Sequence, residues 1–207
     1  MAMVKCHHLA LVVLALVTLP ANPVASSAPS KNLLNFMSVI SGRYVEEILE
    51  SEKLLPAGEL ENLTELVIPV RIPAFDPDFA FLYEETVSGT RFRRHIFVVS
   101  ENADKIITIR PYNITGNDVA KDLDVASLES LPLNAFSFDP DCALTYRPVS
   151  RNTYFGTWPD CTISDEGVIP FYSSVWTCDS ENFLVLNEQS LESRYRIPYI
   201  MRKYGPE

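Results

Sequence analysis

Glycine is scarce in this chain, 7 residues in 207, and none of the seven is clustered. That excludes a glycine-rich phosphate loop and a dinucleotide-binding fingerprint, which need close glycines so that backbone amides can approach phosphate. A Gly-x-Ser-x-Gly nucleophile elbow is also missing. Histidine is scarcer: of three, His7 and His8 fall in the leader described below. Any Ser–His–Asp triad or histidine-based metal site would therefore rest on His95 alone. Positive charge is short as well, with 17 Lys and Arg against 27 Asp and Glu and a formal net charge of −10. A domain this acidic is repelled by phosphate backbones and anionic lipid, which argues against nucleic-acid binding.

Long apolar runs are missing except at the start. Lys5 precedes an apolar stretch from Leu9 to Leu19, then Pro20 and small residues around Ala25 and Ser26. The stretch falls short of the roughly 20 residues a bilayer-spanning helix needs. Its layout predicts a signal peptide over residues 1–26 and a secreted product, extracellular or in the secretory-pathway lumen, over residues 27–207. That remainder has the length of one domain and carries neither repeat nor linker. It keeps 16 basic and 27 acidic side chains, net −11. Two sequons suit secretion, Asn62-Leu63-Thr64 and Asn113-Ile114-Thr115, and a glycan at either would require that asparagine to face solvent.

Cysteine is limited to four residues, of which Cys6 lies in the leader. In an oxidising compartment two of the remaining three should pair. Cys142 and Cys161 flank a predicted hairpin and are the expected pair, leaving Cys178 as an odd thiol.

What the chain does have is strand pattern. Leu33, Leu34, Met37 and Ile40, then Tyr44, Val45, Ile48 and Leu49, recur at helical spacing and predict an N-terminal helical segment broken at Gly42 and ending near Lys53. From Thr64 the period becomes two, with Leu66, Ile68, Val70 and Ile72 sharing a face. Phe79–Val87 and Arg91–Val99 then read as a hairpin turning at Gly89. One face of it carries Phe79, Phe81, Tyr83 and Glu85 opposite Arg93, His95, Phe97 and Val99. That ring-lined surface with a polar centre suits a flat, partly anionic ligand. Cross-strand pairing of Glu85 with Arg93 and Glu84 with Arg94 explains the same charges as hairpin stabilisers, at roughly 0.2–1 kcal/mol per pair. Downstream, 105–112 reads as a third strand, 118–131 as a short helix or helical loop, and 143–149, 153–158, 168–176, 183–186 and 196–202 as strands. About nine short strands with turn signals predict a mainly β fold, an antiparallel barrel or sandwich.

In order along the chain, several segments resemble the T-type phycobiliprotein chromophore lyases, the CpcT/CpeT family. Gly42-Arg43-Tyr44 is similar to the family's Gly-x-Phe/Tyr element, and Leu82-Tyr83-Glu84-Glu85 to its Tyr-x-Glu-Gln strand. Phe92-Arg93-Arg94-His95-Ile96-Phe97 resembles the Tyr-Arg-Gln-Arg-x-Tyr strand, with Arg93 at the first arginine and His95 in place of the second. Cys142, Phe155-Gly156, Cys161 and Pro198-Tyr199-Ile200-Met201-Arg202 resemble later elements. The family's Asp-Arg-Gly element and a tryptophan-glycine before the last strand have no counterpart.

The resemblance implies a calycin-like (lipocalin-like) antiparallel β-barrel that binds a bilin, a linear tetrapyrrole, and attaches it to a cysteine of an acceptor phycobiliprotein by a thioether. It also implies a homodimer and no required cofactor. Arginine suits propionates because it stays charged and offers bidentate donors, and aromatic walls suit pyrrole rings. Arg93, His95, Glu84, Tyr83 and Phe97 are the candidate ligand-binding residues, with Tyr199 on an opposite wall. No catalytic residue and no metal site is assigned. Three readings follow: a bilin lyase, a secreted lipocalin-like carrier of a tetrapyrrole or other apolar ligand, and a glycosylated domain whose barrel is filled by side chains.

Overall fold

Two consecutive residues of positive φ, Ser88 at 49° and Gly89 at 80°, close the turn between β3 (Phe79–Val87) and β4 (Thr90–Glu101). A two-residue turn of this hand matches the twist of the strands it joins. The register sets Phe79 opposite Val99, Phe81 opposite Phe97, Tyr83 opposite His95 and Glu85 opposite Arg93. These are the pairs that alternation predicts. The ladder shifts by a residue between Glu85 and Thr86, so the turn end of β4 is bulged.

The computed structural model describes residues 28–47, 63–115, 124–158, 161–162, 168–169, 172–178, 180–185 and 199–204. The proposed leader and Asn62 lie outside them. The other strands are β1 (Gly42–Glu47), β2 (Leu63–Val70), β5 (Ile107–Ile114), β6 (Phe136–Ser137), β7 (Leu144–Ser150) and β8 (Thr153–Trp158). They continue as β9 (Cys161–Thr162), β10 (Val168–Ile169), β11 (Tyr172–Trp176), β12 (Ser180–Val185) and β13 (Tyr199–Tyr204). Ten of them form one antiparallel ladder in the order β4-β3-β2-β1-β13-β12-β11-β8-β7-β5, and β5 pairs back to β4. The pairings thus run round in a ring, and the fold is mainly β and barrel-like. β6 extends β5 at one end, and β9 and β10 form a separate pair.

One expectation is corrected at the N-terminus. The helix α1 spans Lys31–Ile40, residues 42–47 are the strand β1 rather than more helix, and residues 48–53 of the expected segment lie outside the described residues. Ser30 caps α1, its hydroxyl accepting from the Leu33 amide at 3.0 Å. Gly42 ends the helical pattern because β1 is claimed on both sides, by β2 and by β13. Pairing partners so distant in sequence leave no local trace. Of the helix predicted over 118–131, the described part is α2 (Val125–Glu129), capped by Asp124.

Two apolar clusters lie on opposite faces of the hairpin. The inner one joins α1 residues Leu33, Phe36, Met37 and Ile40 to Phe81, Tyr83, Phe97, Ile109, Tyr146, Tyr154, Trp176 and Met201 from strands around the ring. The apolar face of α1 therefore closes one end of the barrel. Each large side chain buried there contributes about 1.5–3 kcal/mol. Tyr154, at that end, donates to the Asn32 carbonyl at 3.0 Å and receives the Asn35 amide at 2.9 Å, tying β8 to the helix. The outer cluster covers the other side of the hairpin: Leu82, Ile96 and Val98 pack with Ile72, Phe75, Leu128 and Phe136. β3 and β4 are thus buried on both faces, which explains why apolar residues fill both parities of their sequence.

Candidate functional site: the polar end of the inner wall

Alternation along β2, β3, β4 and β5 carries one row of side chains round the inside of the barrel. Val67 stands opposite Tyr83, and Tyr83 opposite His95. The β4–β5 register, with Ile96 opposite Tyr112, brings Asn113 beside His95. The next row runs from Tyr44, whose hydroxyl donates to the Val39 carbonyl of α1, to Glu65, from Glu65 to Glu85 and from Glu85 to Arg93. Aromatic packing near α1 thus gives way to a polar patch.

Three rings form a wall. Tyr83 stacks on Phe97 with centroids 4.5 Å apart, and on His95 at 6.3 Å, both at 13° between planes. The Tyr83 hydroxyl lies 3.0 Å from Glu65 Oε1 and 3.2 Å from Glu85 Oε2. A phenol carries one hydrogen, so it serves one carboxylate at a time. Arg93 Nη1 donates to Glu85 Oε2 at 3.2 Å. Glu65 and Glu85 are 2% and 3% exposed and His95 is 5% exposed. Two carboxyl groups in directly opposed positions repel when both are ionised, and the phenol and the guanidinium stand where they offset that.

Burial, reinforced by the positive charge of Arg93, pushes the His95 imidazole down to about 4, while the Asn113 side chain acts weakly the other way. His95 is therefore neutral at physiological pH. Neither ring nitrogen meets a hydrogen-bond partner at ordinary geometry. A neutral ring with one N–H and one lone pair to offer is thus held in the interior.

The structure brings Tyr83, Arg93, His95 and Phe97 together on this wall. It does not place Glu84 with them. Glu84 falls on the outer parity of β3, where its Oε1 lies 2.8 Å from Arg94 Nε and 3.6 Å from Arg91 Nη2. Both cross-strand ion pairs expected from the sequence are present, so hairpin stabilisation accounts for Glu84 without a ligand. Tyr199 lies in β13 opposite Phe183, and its side chain is outside the described residues. Arg202, next along that strand's outer parity, is exposed.

Two members of the patch escaped the sequence reading. Glu65 did so because Leu66, Ile68 and Val70 made the other face of β2 look like the inner one. Its signal was Leu63 and Val67, two residues to either side on its own parity. Asn113 reads in sequence as a glycan acceptor, yet it is half-buried on the inner parity of β5.

Cys142 is buried and disulfide-bonded, and Cys178, expected to be the odd thiol, is disulfide-bonded too. The side chain of Cys161 is outside the described residues, although its backbone runs beside the turn Pro140–Cys142. Among the described residues no group of three His, Cys, Asp or Glu could hold a metal ion, and no helix is long and apolar enough to cross a membrane.

These features define an antiparallel, barrel-like β protein with a buried polar patch on an aromatic inner wall. Compared with known proteins, the chain matches no family model and no curated sequence.

Proposed function

We propose that the chain is a secreted, calycin-like member of the T-type chromophore lyase kind, which holds a linear tetrapyrrole against the inner wall and delivers it to an acceptor thiol. The observation that carries this reading is the stacked Tyr83–Phe97–His95 wall running into Glu65, Glu85 and Arg93. Flat conjugated rings stack on such a wall. Buried carboxylates accept from pyrrole N–H groups, and a propionate reaching Arg93 would take over the donor that Nη1 gives to Glu85. In the delivery step an acceptor cysteine thiol adds across an exocyclic double bond of the tetrapyrrole. A C–S bond forms, the proton goes to the neighbouring carbon, and nothing leaves. The neutral His95 can accept a hydrogen bond or a proton in such a site, but it cannot serve as a cation for a second propionate.

That last property favours a second reading, a lipocalin-like carrier without transfer. His95 stands where the lyase motif has an arginine, so the wall has one fewer fixed positive charge. The two readings part in one assay. Purified protein is mixed with phycocyanobilin and an unmodified phycobiliprotein β-subunit, then denatured and examined for covalently bound bilin. A lyase gives an adduct faster than the mixture without it. Equal rates with and without the protein, alongside saturable binding, leave the carrier.

A further inference from the structure

Asn113 carries the sequence signature of a surface glycan and the position of an interior side chain. On β5, Ile107 and Ile109 point into the inner cluster, while Ile114 packs in the outer one with Tyr112 against it. Asn113 shares the parity of Ile107 and Ile109, and it lies one residue beyond the last β4–β5 pair, Ile96 with Tyr112, on the side of His95. A branched oligosaccharide on its amide nitrogen would have to pass through the row that holds His95 and Tyr83.

We propose that Asn113 remains unglycosylated and that, with His95, it forms a neutral hydrogen-bonding pair on the inner wall for an uncharged amide-like group, such as the lactam ring at one end of a linear tetrapyrrole. Three observations converge on this. His95 is buried with both ring nitrogens lacking a hydrogen-bond partner, which is costly unless something supplies one. Asn113 is the adjoining polar side chain on that row, and an amide offers both donors and an acceptor. The guanidinium of Arg93 beside His95 is engaged by Glu85, and a neutral imidazole and an amide carry no fixed positive charge, so the group accepted here is the neutral edge of a ligand rather than its propionate. The ligand half of this inference rests on the function proposed above, and the glycan half does not.

The test uses two substitutions with opposite logic. Thr115→Ala destroys the sequon but keeps Asn113, and Thr115 is exposed. Asn113→Ala removes the side chain, with Asn113→Ser as a smaller polar alternative should the alanine variant fold poorly. Full-length protein secreted from a glycosylating host is first weighed intact. Wild type and Thr115→Ala should differ only by the side-chain change, and a glycan present on wild type and lost in Thr115→Ala overturns the proposal. The ring nitrogens of His95, the sole histidine after residue 8, are then followed by nitrogen-15 NMR without ligand. They should shift in Asn113→Ala or Asn113→Ser and stay in place in Thr115→Ala. Unmoved ring nitrogens in the Asn113 variants overturn the pairing. Biliverdin titration adds the ligand readout: about tenfold weaker binding in the Asn113 variants, unchanged in Thr115→Ala. If wild type binds no biliverdin, the function proposed above fails, while mass and ring shifts still decide the placement of Asn113. If wild type binds and the Asn113 variants bind equally well, the ligand half is overturned.

Discussion

Glu65 stands directly opposite Glu85 in the β2–β3 ladder, both buried, with the hydroxyl of Tyr83 within 3.2 Å of each carboxylate. A fold under pressure only to be stable has little reason to oppose two acids in its interior. Buried ionisable groups set this close gather where a ligand is held.

The guanidinium of Arg93 and the carboxylate of Glu85 form a pair whose side chains are 12% and 4% exposed. Removing one partner of a buried pair strands the other charge. Arg93→Ala is therefore expected to lower stability by about 3–5 kcal/mol, and the double variant Arg93→Met with Glu85→Gln by distinctly less. Urea unfolding of wild type and the two variants measures this. A double variant no more stable than Arg93→Ala would show that the ion pair is not the relevant interaction.

Acid sensitivity should trace to His95. Its value of about 4 in the folded chain lies below the 6.5 of an exposed imidazole, so between those pH values the unfolded chain binds the extra proton. Stability from the neutral ring is complete above pH 6.5 and is lost as pH falls toward 4. The loss amounts to about 3 kcal/mol at 1.36 kcal/mol per unit. His95→Phe should flatten this part of the stability–pH curve. An unchanged slope in the variant would place the acid sensitivity elsewhere.

Gly156 is required by a ring rather than by a turn. A Cβ there would overlap the ring of Tyr146, whose hydroxyl lies 2.7 Å from Ser174 Oγ and receives Trp176 Nε1 at 3.1 Å. Gly156→Ala should cost about 1–3 kcal/mol through overpacking, and Tyr146→Phe about 1 kcal/mol through lost hydrogen bonds. Thermal melts compare the two. A glycine variant as stable as wild type would mean that both the Tyr146 ring and the Thr145 carbonyl can move aside.

Lys203 fastens the last strand to the helix that closes the barrel. Its stem crosses the space left by the missing side chain of Gly42, and Nζ donates to the Ser38 and Val39 carbonyls at 3.2 and 3.1 Å. A cation at these carbonyls suits the negative end of α1, yet burial lowers its ammonium to about 8. Between pH 8 and the usual 10.5 the unfolded chain binds more protons, so wild type should gain stability relative to Lys203→Met as pH rises through that window. A constant difference between the two from pH 7 to 10.5 would argue against it.

The hairpin wall was legible because alternation, a Ser-Gly turn and opposed charges all lie within a single stretch of 21 residues, Phe79 to Val99. Its register in the structure follows that reading pair by pair. β1 was not legible. Tyr44 and Val45 fall in a helix-like pattern with Ile48 and Leu49, and only the pairing of Val45 with Thr64 and Arg202 makes the segment a strand. Glu65 was missed for a related reason. An outer layer built from Ile72, Phe75, Leu128 and Phe136 makes the outward parity of β2 and β3 as apolar as the inward one. Hydrophobicity alone then cannot say which face looks into the barrel. The helix that plugs the ring is plain from its spacing, but that it closes a barrel follows only from the strands around it.

The most direct test of the central claim is a titration of purified wild-type protein and its Tyr83→Ala and Glu85→Gln variants with phycocyanobilin and biliverdin, followed by visible absorbance and tryptophan quenching. The proposed site gives saturable, red-shifted binding at micromolar protein for wild type, with both variants about tenfold weaker or worse. No binding by wild type, or binding that ignores both substitutions, would contradict the inner wall as the tetrapyrrole site.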